Sequence, residues 1–120
     1  MIKYTLKQLK KSLDILWSEL VKRRDKQCIR CSRVERLNAA HIFSRSQKSV
    51  RWDLANGIAL CSGCHIFWAH KNPVEFSEFV KKHLGVQKYE ELRLKAKTLV
   101  KVDRAFLEKT MSELQSTKIS

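Results

Sequence analysis

The chain has few of the residues that interrupt regular structure, with one proline and three glycines among its 120 residues. This scarcity argues against an all-β protein built from many short strands and turns. The chain also lacks an apolar run of roughly 18 residues, the length that a transmembrane helix needs. We therefore expect one mainly helical domain over residues 1–120, without a membrane span.

Acidic residues are scarce as well. The chain has 12 Asp and Glu residues but 25 Lys and Arg residues, which gives a formal net charge of +13. Such a chain attracts polyanions, so nucleic acid is the expected partner and an anionic membrane surface is the alternative. The charge does not distinguish DNA from RNA, since ribosomal proteins share this composition. The N-terminal residues lack the apolar core of a signal peptide, which predicts a cytoplasmic protein.

Two outer regions follow a helical period. Residues 5–26 predict a basic N-terminal helix that begins with a capping box made by Thr5 and Gln8. Its apolar stripe consists of Leu6, Leu9, Leu13, Leu16 and Leu20. Residues 72–116 predict C-terminal helices, one from Pro73 to Gly85 and a second from about Tyr89 to Leu114. The buried stripe of the second is expected to consist of Leu92, Leu99, Phe106, Met111 and Leu114.

The middle region, residues 27–70, contains all four cysteines. Cys28 and Cys31 form one Cys-x-x-Cys pair, and Cys61 and Cys64 form another. In a reducing compartment, two such pairs predict a tetrahedral zinc site with a structural role. The segment 32–60 between the pairs is longer than in a zinc ribbon, so we expect a substructure inserted there. Buried free thiols are the alternative interpretation.

The inserted segment carries a His and an Asn, and a second His follows the last cysteine. Leu37–Phe43 and Asn56–Leu60 each predict a short strand, and Gly63–His70 predicts a helix. The segments Ala-Ala-His-Ile-Phe-Ser-Arg-Ser and Arg-Trp-Asp-Leu-Ala-Asn-Gly-Ile-Ala-Leu-Cys-Ser-Gly-Cys-His resemble the ββα-metal core of HNH endonucleases. The resemblance is greatest to the phage-encoded, zinc-stabilised members, and it covers about residues 28–70.

The resemblance implies a fold and a set of roles. The fold would be α+β and mainly helical, with a ββα-metal core and a four-cysteine zinc, flanked by N- and C-terminal helices. His41 would be the general base that deprotonates the attacking water, and Asn56 would pin the loop that orients it. His65 would bind a catalytic divalent metal, Mg²⁺ or Mn²⁺. Phosphodiester hydrolysis needs these parts: a nucleophilic water, a base with a pKa of about 7, and a cation on the phosphate.

The position before the expected base departs from the family pattern. Many members carry an Asp or His metal ligand there, whereas this chain has Ala40. His70 is one candidate replacement, although a regular helix would separate its side chain from that of His65 by about 140°. Asp53 is another candidate ligand. A solvent-facing His70 at a helix end is the alternative.

Basic and aromatic residues surround this segment. We expect Arg45, Lys48 and Arg51 to contact the DNA backbone, and Arg45 or Arg51 to stabilise transition-state charge. A solvated loop is the alternative interpretation of these charges. Trp52 and Trp68 are assigned to the core rather than to base stacking.

The sequence thus predicts a metal-dependent endonuclease that nicks or cleaves double-stranded or branched DNA with low sequence specificity. A partner protein would supply any further specificity. If the chain is phage-encoded, the expected location is the cytoplasm of the host cell. The alternative is a non-catalytic zinc-dependent nucleic-acid-binding protein, which Ala40 favours. A ribosomal or scaffold protein would explain the charge but would leave the histidines without a role.

Overall fold

Residues 4–119 of the chain are described by a computed structural model. In chain order they form helix α1 (Leu6–Asp25), strand β1 (Leu37–His41), a 3-10 turn (Leu54–Asn56), strand β2 (Gly57–Cys61), a π-helix (Cys64–Ala69), and helices α2 (Pro73–Leu84), α3 (Val86–Ala96) and α4 (Arg104–Gln115). The fold is α+β and mainly helical, as predicted. No helix within this described range is long and apolar enough to cross a membrane.

Helix α1 begins at the predicted capping box. The amide of Gln8 donates to Oγ1 of Thr5 at 3.1 Å, and the amide of Thr5 donates to Oε1 of Gln8 at 2.8 Å. The buried face consists of Leu9, Leu13, Trp17, Leu20 and Val21. Leu6 is exposed and Leu16 is half-buried. The buried face is therefore turned from the leucine stripe toward Trp17 and Val21, because α1 packs against both strands and α4.

The two strands form an antiparallel pair that sets the register of the functional residues. Leu37 pairs with Cys61 and His41 pairs with Gly57, so the start of β1 lies beside the second cysteine pair. Strand β2 is buried along its whole length. Its Ile58 contributes to a core with the π-helix and α2, whereas the core of α1 and α4 lies against Ala39 of β1. Coverage on both faces explains why β2 shows no alternation of polar and apolar residues.

Gly57 allows α1 to approach the sheet closely. A Cβ atom at this position would lie 2.5 Å from Cζ2 of Trp17 and 2.8 Å from Cγ2 of Val21. The Trp17 indole therefore occupies the space that a larger residue would fill, next to His41, the strand partner of Gly57. The contact between α1 and the end of β1 therefore depends on the absence of a side chain at Gly57.

The C-terminal helices agree with the prediction only in part. Helix α2 starts at Pro73 and ends before Gly85 as predicted, but the single helix expected from Tyr89 to Leu114 is wrong. Residues 97–103 separate α3 from α4.

Local chemistry explains this break. The segment contains three β-branched residues of low helix propensity, Thr98, Val100 and Val102. Asp103 then caps α4, because its Oδ1 accepts a hydrogen bond from the amide of Phe106 at 2.9 Å. Leu99 lies in the break and is 97% exposed, so it does not belong to a buried stripe.

Candidate metal centre and histidine site

The four cysteines form one cluster. Cys28 and Cys31 lie in the loop after α1, Cys61 is the last residue of β2, and Cys64 is the first of the π-helix. Their sulfur atoms all lie within 4.8 Å of one another. Between residues 4 and 119, no other group of three or more Cys, His, Asp or Glu side chains has the spacing of a metal site. The cluster can hold a zinc-like ion, in agreement with the two Cys-x-x-Cys pairs.

Backbone hydrogen bonds anchor the first cysteine pair on the sheet. The amide of Ile29 donates to the carbonyl of Ala59 in β2 at 3.0 Å, and the amide of Cys28 donates to the carbonyl of Arg33 at 2.7 Å. Ser32 adopts a left-handed φ of 68°, which turns the chain immediately after Cys31. The first pair is thus held against β2, whose end carries the second pair.

The acid–base properties of the thiols fit a metal ion. Burial opposes ionisation of Cys28, but the surrounding backbone amides outweigh it and lower the pKa of this thiol to about 7. Burial and the three other thiols raise the pKa of Cys64 to about 12, although Arg30 donates to its sulfur at 3.6 Å. Four thiolates at this separation repel one another, and a bound dication removes that repulsion. The residues present therefore suit zinc as a closed four-thiolate site.

His41, the last residue of β1, is held on two sides. Its imidazole stacks on the indole of Trp17, with ring centroids 4.0 Å apart and planes inclined by 12°. Its Nε2 lies 3.0 Å from the carbonyl oxygen of Arg51. Because a carbonyl oxygen only accepts hydrogen bonds, Nε2 carries the proton and Nδ1 has the unprotonated lone pair. Burial lowers the pKa of His41, and the Arg51 carbonyl offsets part of this effect.

Asn56 ties the two ends of the loop between the strands together. Its Oδ1 accepts a hydrogen bond from the amide of Phe43 at 2.8 Å. Its Nδ2 donates to the carbonyls of Phe43 and Val50 at 2.9 and 3.0 Å. The side chain is fully buried, so water cannot replace these bonds. Val50 immediately precedes Arg51, and Asn56 thus fixes the chain next to the carbonyl that binds His41.

The segment after the last cysteine is a π-helix rather than the regular helix expected over Gly63–His70. The amide of His70 donates to the carbonyl of His65 at 3.2 Å, an i to i+5 bond. The wider turn places the imidazole rings of His65 and His70 4.4 Å apart, edge to face. The separation of about 140° that a regular helix would impose is thereby removed.

His65 is oriented by strand β1. Its Nδ1 lies 3.2 Å from Oδ1 of Asn38. An amide oxygen only accepts, so Nδ1 carries the proton and Nε2 is left to bind a cation. Burial lowers the pKa of His65, and His70 and His41 lower it further through charge repulsion. The three histidines therefore lie within electrostatic range of one another.

Ala40 and Asp53 add no ligand to this group. Ala40 is 2% exposed and packs in the core with Ile58 and Trp68. The carboxylate of Asp53 accepts a hydrogen bond from the amide of Ala55 and forms an ion pair with Lys95. The expectation that Asp53 supplies a metal ligand is therefore wrong, because its oxygens cap the 3-10 turn and bind a lysine.

The three residues expected at phosphate differ in exposure. Arg45 and Lys48 are exposed, which leaves their predicted role open. Arg51 is 8% exposed, and its Nε and Nη2 donate to Asp14 of α1 at 3.1 and 2.7 Å. The ion pair with Asp14 holds the Arg51 side chain mostly out of solvent, and its predicted contact with phosphate or the transition state stays a prediction. Its backbone carbonyl contacts the site through Nε2 of His41.

Three residues around the histidines were not predicted from the sequence. Trp17 contacts His41, Asn38 contacts His65, and Asp14 binds Arg51. Trp17 follows Leu13 by four positions, so its burial could have been predicted, but its stacking partner lies 24 residues away in the chain, at position 41. Asp14 and Asn38 are polar residues with no local signal. Trp52 and Trp68 are 3% and 6% exposed, which confirms their assignment to the core.

No protein-family model, curated protein or solved structure matches this chain. The geometry of the cysteine cluster and of His41, His65 and His70 is therefore what indicates a function for this chain.

Proposed function

We propose that the chain is a metal-dependent endonuclease of the HNH type that hydrolyses DNA phosphodiester bonds. The observation that carries this proposal is the grouping of His41, with an unprotonated Nδ1, near the paired rings of His65 and His70. Metal-assisted phosphodiester hydrolysis needs a proton acceptor close to a cation. In this grouping, Nδ1 of His41 can accept the proton, and the ring nitrogens of His65 and His70 can bind the cation.

In this proposal His41 is the general base. Its Nδ1 takes a proton from the attacking water, and the positive charge that develops on the ring is stabilised by the Nε2–H contact with the Arg51 carbonyl. The lowered pKa keeps the ring neutral at about pH 7, so that it can accept the proton. Asn56 maintains the loop that presents this carbonyl.

His65 and His70 are the residues that would hold the catalytic metal. A bound Mg²⁺ or Mn²⁺ supplies positive charge to the scissile phosphate and the leaving oxygen. Asn38 fixes the tautomer of His65 that leaves Nε2 available as a ligand. Imidazole nitrogens suit the later transition metals best and Mg²⁺ least, so of Mg²⁺ and Mn²⁺ this pair favours Mn²⁺. The zinc proposed for the cysteine cluster is structural, because four thiolates leave no position for water.

The substrate proposed is double-stranded or branched DNA. The net charge of +13 supports binding to a phosphate backbone. Arg45 and Lys48 are the exposed basic residues of the loop that leads from His41 to Asn56. Contacts of this kind give affinity without base recognition, so sequence specificity is expected to be low or to come from a partner protein.

A plasmid nicking assay tests the proposal. Zinc-loaded wild type is incubated with supercoiled DNA in Mn²⁺, in Mg²⁺ and in EDTA, beside His41→Ala and His83→Ala. His83 is an exposed histidine of α2, so its variant is the matched control. We expect cleavage in Mn²⁺ by wild type and His83→Ala, and a loss of roughly 10²–10⁴-fold in His41→Ala. Equal cleavage by all three proteins would show that His41 is not the base.

The second candidate is a non-catalytic zinc-dependent nucleic-acid-binding protein. The observation in its favour is Ala40, which places an apolar, buried residue where a metal ligand is expected. In that case, wild type would bind DNA and cleave no supercoiled, linear or branched form in any divalent metal. The nicking assay together with a binding measurement distinguishes the two candidates.

A further inference from the structure

Helix α1 lies outside the cysteine cluster and the strands, yet it contacts the surroundings of His41 twice. Trp17 stacks on the imidazole itself at 4.0 Å. The indole is fixed in turn, because its Nε1 donates to the carbonyl of Asp53 at 2.8 Å. Gly57 provides the space for this indole. The ring plane of His41 is thus set by the indole of Trp17. This indole is itself fixed by its hydrogen bond to Asp53 and by its close packing on Gly57.

The second contact runs through Asp14. Its carboxylate accepts two hydrogen bonds from Arg51, one from Nε1 of Trp52 at 2.7 Å and one from Arg45 at 3.2 Å. All four bonds come from the loop between the strands, and three of them come from the consecutive residues Arg51 and Trp52. Asp14 therefore fixes the residue whose carbonyl binds Nε2 of His41. An ionised carboxylate has about four acceptor sites, so these donors fill the acceptor capacity of Asp14.

We infer that α1 is a positioning element for His41, in which Asp14 holds the Arg51 carbonyl that selects the Nε2–H tautomer and Trp17 holds the plane of the ring. The expected effect on catalysis rests on the proposed role of His41 as the general base. The selection of the tautomer is a property of the folded chain whether or not DNA is cleaved. Neither residue touches the reacting atoms, so both are positioning residues rather than catalytic ones.

The physical reason is that free imidazole exchanges between two neutral tautomers. Only one of them presents an unprotonated Nδ1, and a hydrogen bond at the opposite nitrogen selects it. A carbonyl on a mobile loop would select it weakly. The charged groups around His41 are Asp14 on α1, Arg45 and Arg51 on the loop, and His65 on the π-helix. A change at Asp14 alters this charge balance, so tautomer and charge effects must be measured separately.

The test uses Asp14→Asn with Glu19→Gln as its control. Glu19 is an exposed carboxylate of the same helix and, among residues 4–119, its ion pair is with Arg23, so its variant removes an equal charge without touching the loop. The tautomer of His41 is read from its ring ¹⁵N shifts in the zinc-loaded protein at about pH 8, where the ring is neutral in every variant. We expect Nε2–H alone in wild type and Glu19→Gln, and a mixture of both tautomers in Asp14→Asn. An unchanged tautomer in Asp14→Asn would overturn the inference for Asp14.

Trp17 is tested by replacement with Phe and with Leu. Phe keeps a ring face against His41 and Leu does not, while Leu13→Ala is a control that damages the same core and leaves the Trp17 ring in place. We expect kcat to fall roughly tenfold or more in Trp17→Leu with KM little changed, and to recover largely in Trp17→Phe. Equal losses in Trp17→Phe, Trp17→Leu and Leu13→Ala would reduce Trp17 to a core residue. If wild type cleaves no DNA, the proposed nuclease function fails, and the ¹⁵N comparison of Asp14→Asn with Glu19→Gln still decides whether α1 positions His41 through Asp14.

Discussion

The imidazole rings of His65 and His70 meet edge to face at 4.4 Å, although five positions separate them in the chain. This contact exists because the hydrogen bond between them closes a π-helical turn. Turns of this type are rare and often lie at functional sites. The distortion brings two nitrogen donors to the side of the sheet where Asn38 orients His65.

Replacing His70 with Ala should weaken binding of the proposed catalytic metal without unfolding the protein. His70 is exposed, so its removal leaves no buried cavity. We expect cleavage at limiting Mn²⁺ to fall at least roughly tenfold, and the Mn²⁺ concentration for half-maximal rate to rise. His83→Ala serves as the control, and circular dichroism checks the fold. Full activity at every Mn²⁺ concentration would remove His70 from the metal site.

Purified protein should contain about one zinc ion per chain. The replacement of Cys61 by Ser should unfold the region around β2, because three thiolates cannot close the site that joins the first loop to the sheet. Metal analysis and thermal melts measure both effects. Ser62→Ala, one residue further on and half-buried, is the matched control and should melt near wild type. A zinc-free protein whose melt is unchanged in Cys61→Ser would contradict the assignment.

Asn56→Ala should destabilise the fold more than any exposed asparagine. The variant leaves the amide and the carbonyl of Phe43 without a partner in a buried site, whereas the carbonyl of Val50 still accepts from the amide of Asp53. The free energy of unfolding should fall by about 2 kcal/mol or more, since each unsatisfied buried group costs about 1–3 kcal/mol. Asn72→Ala, which removes one exposed side chain, is the control in denaturant titrations. Equal losses in the two variants would show that the Asn56 bonds matter little.

Cleavage should depend on pH through His41. Its pKa in the folded protein is lowered by burial, so the neutral base persists below its ordinary value of about 6.5. Activity should therefore be lost only as the pH falls through this lowered value. The unfolded chain binds protons more readily than the folded one, so His41 also makes stability decrease as the pH falls below about 6.5. A rate profile whose acid limb lies above pH 6.5 or so would contradict the direction of this shift.

Affinity for DNA should fall steeply with salt. We expect Arg45 and Lys48 to contact phosphates. Each replacement by Gln should then make the slope of the logarithm of the DNA-binding constant against the logarithm of salt concentration less negative by about one unit. Lys109→Gln removes the same charge from α4 and serves as the control. Fluorescence anisotropy over a range of salt concentrations measures the slopes. Identical slopes in all variants would mean that the loop between the strands does not contact the backbone.

The sequence alone determined the local features of this protein. The capping box of Thr5 and Gln8, the start of α2 at Pro73 and its end before Gly85 depend on neighbours within a few residues, and all were predicted. The meeting of the two cysteine pairs was also predictable, because a closed four-ligand site requires it. Asp103 and the β-branched residues before it indicate the break at residues 97–103. It was not predicted, because apolar residues continue at helical spacing across the break.

Only the tertiary structure decided which side chains serve the histidines. The sequence around Arg51 predicts an exposed basic residue. In the structure its side chain is buried, because it forms an ion pair with Asp14 of α1. Trp17 reaches His41 because Gly57 leaves room on the sheet. The π-helix brings His70 to His65, whereas a helical period of 3.6 would keep them apart. The first two outcomes depend on packing between distant segments, and periodicity and spacing carry no information about such packing.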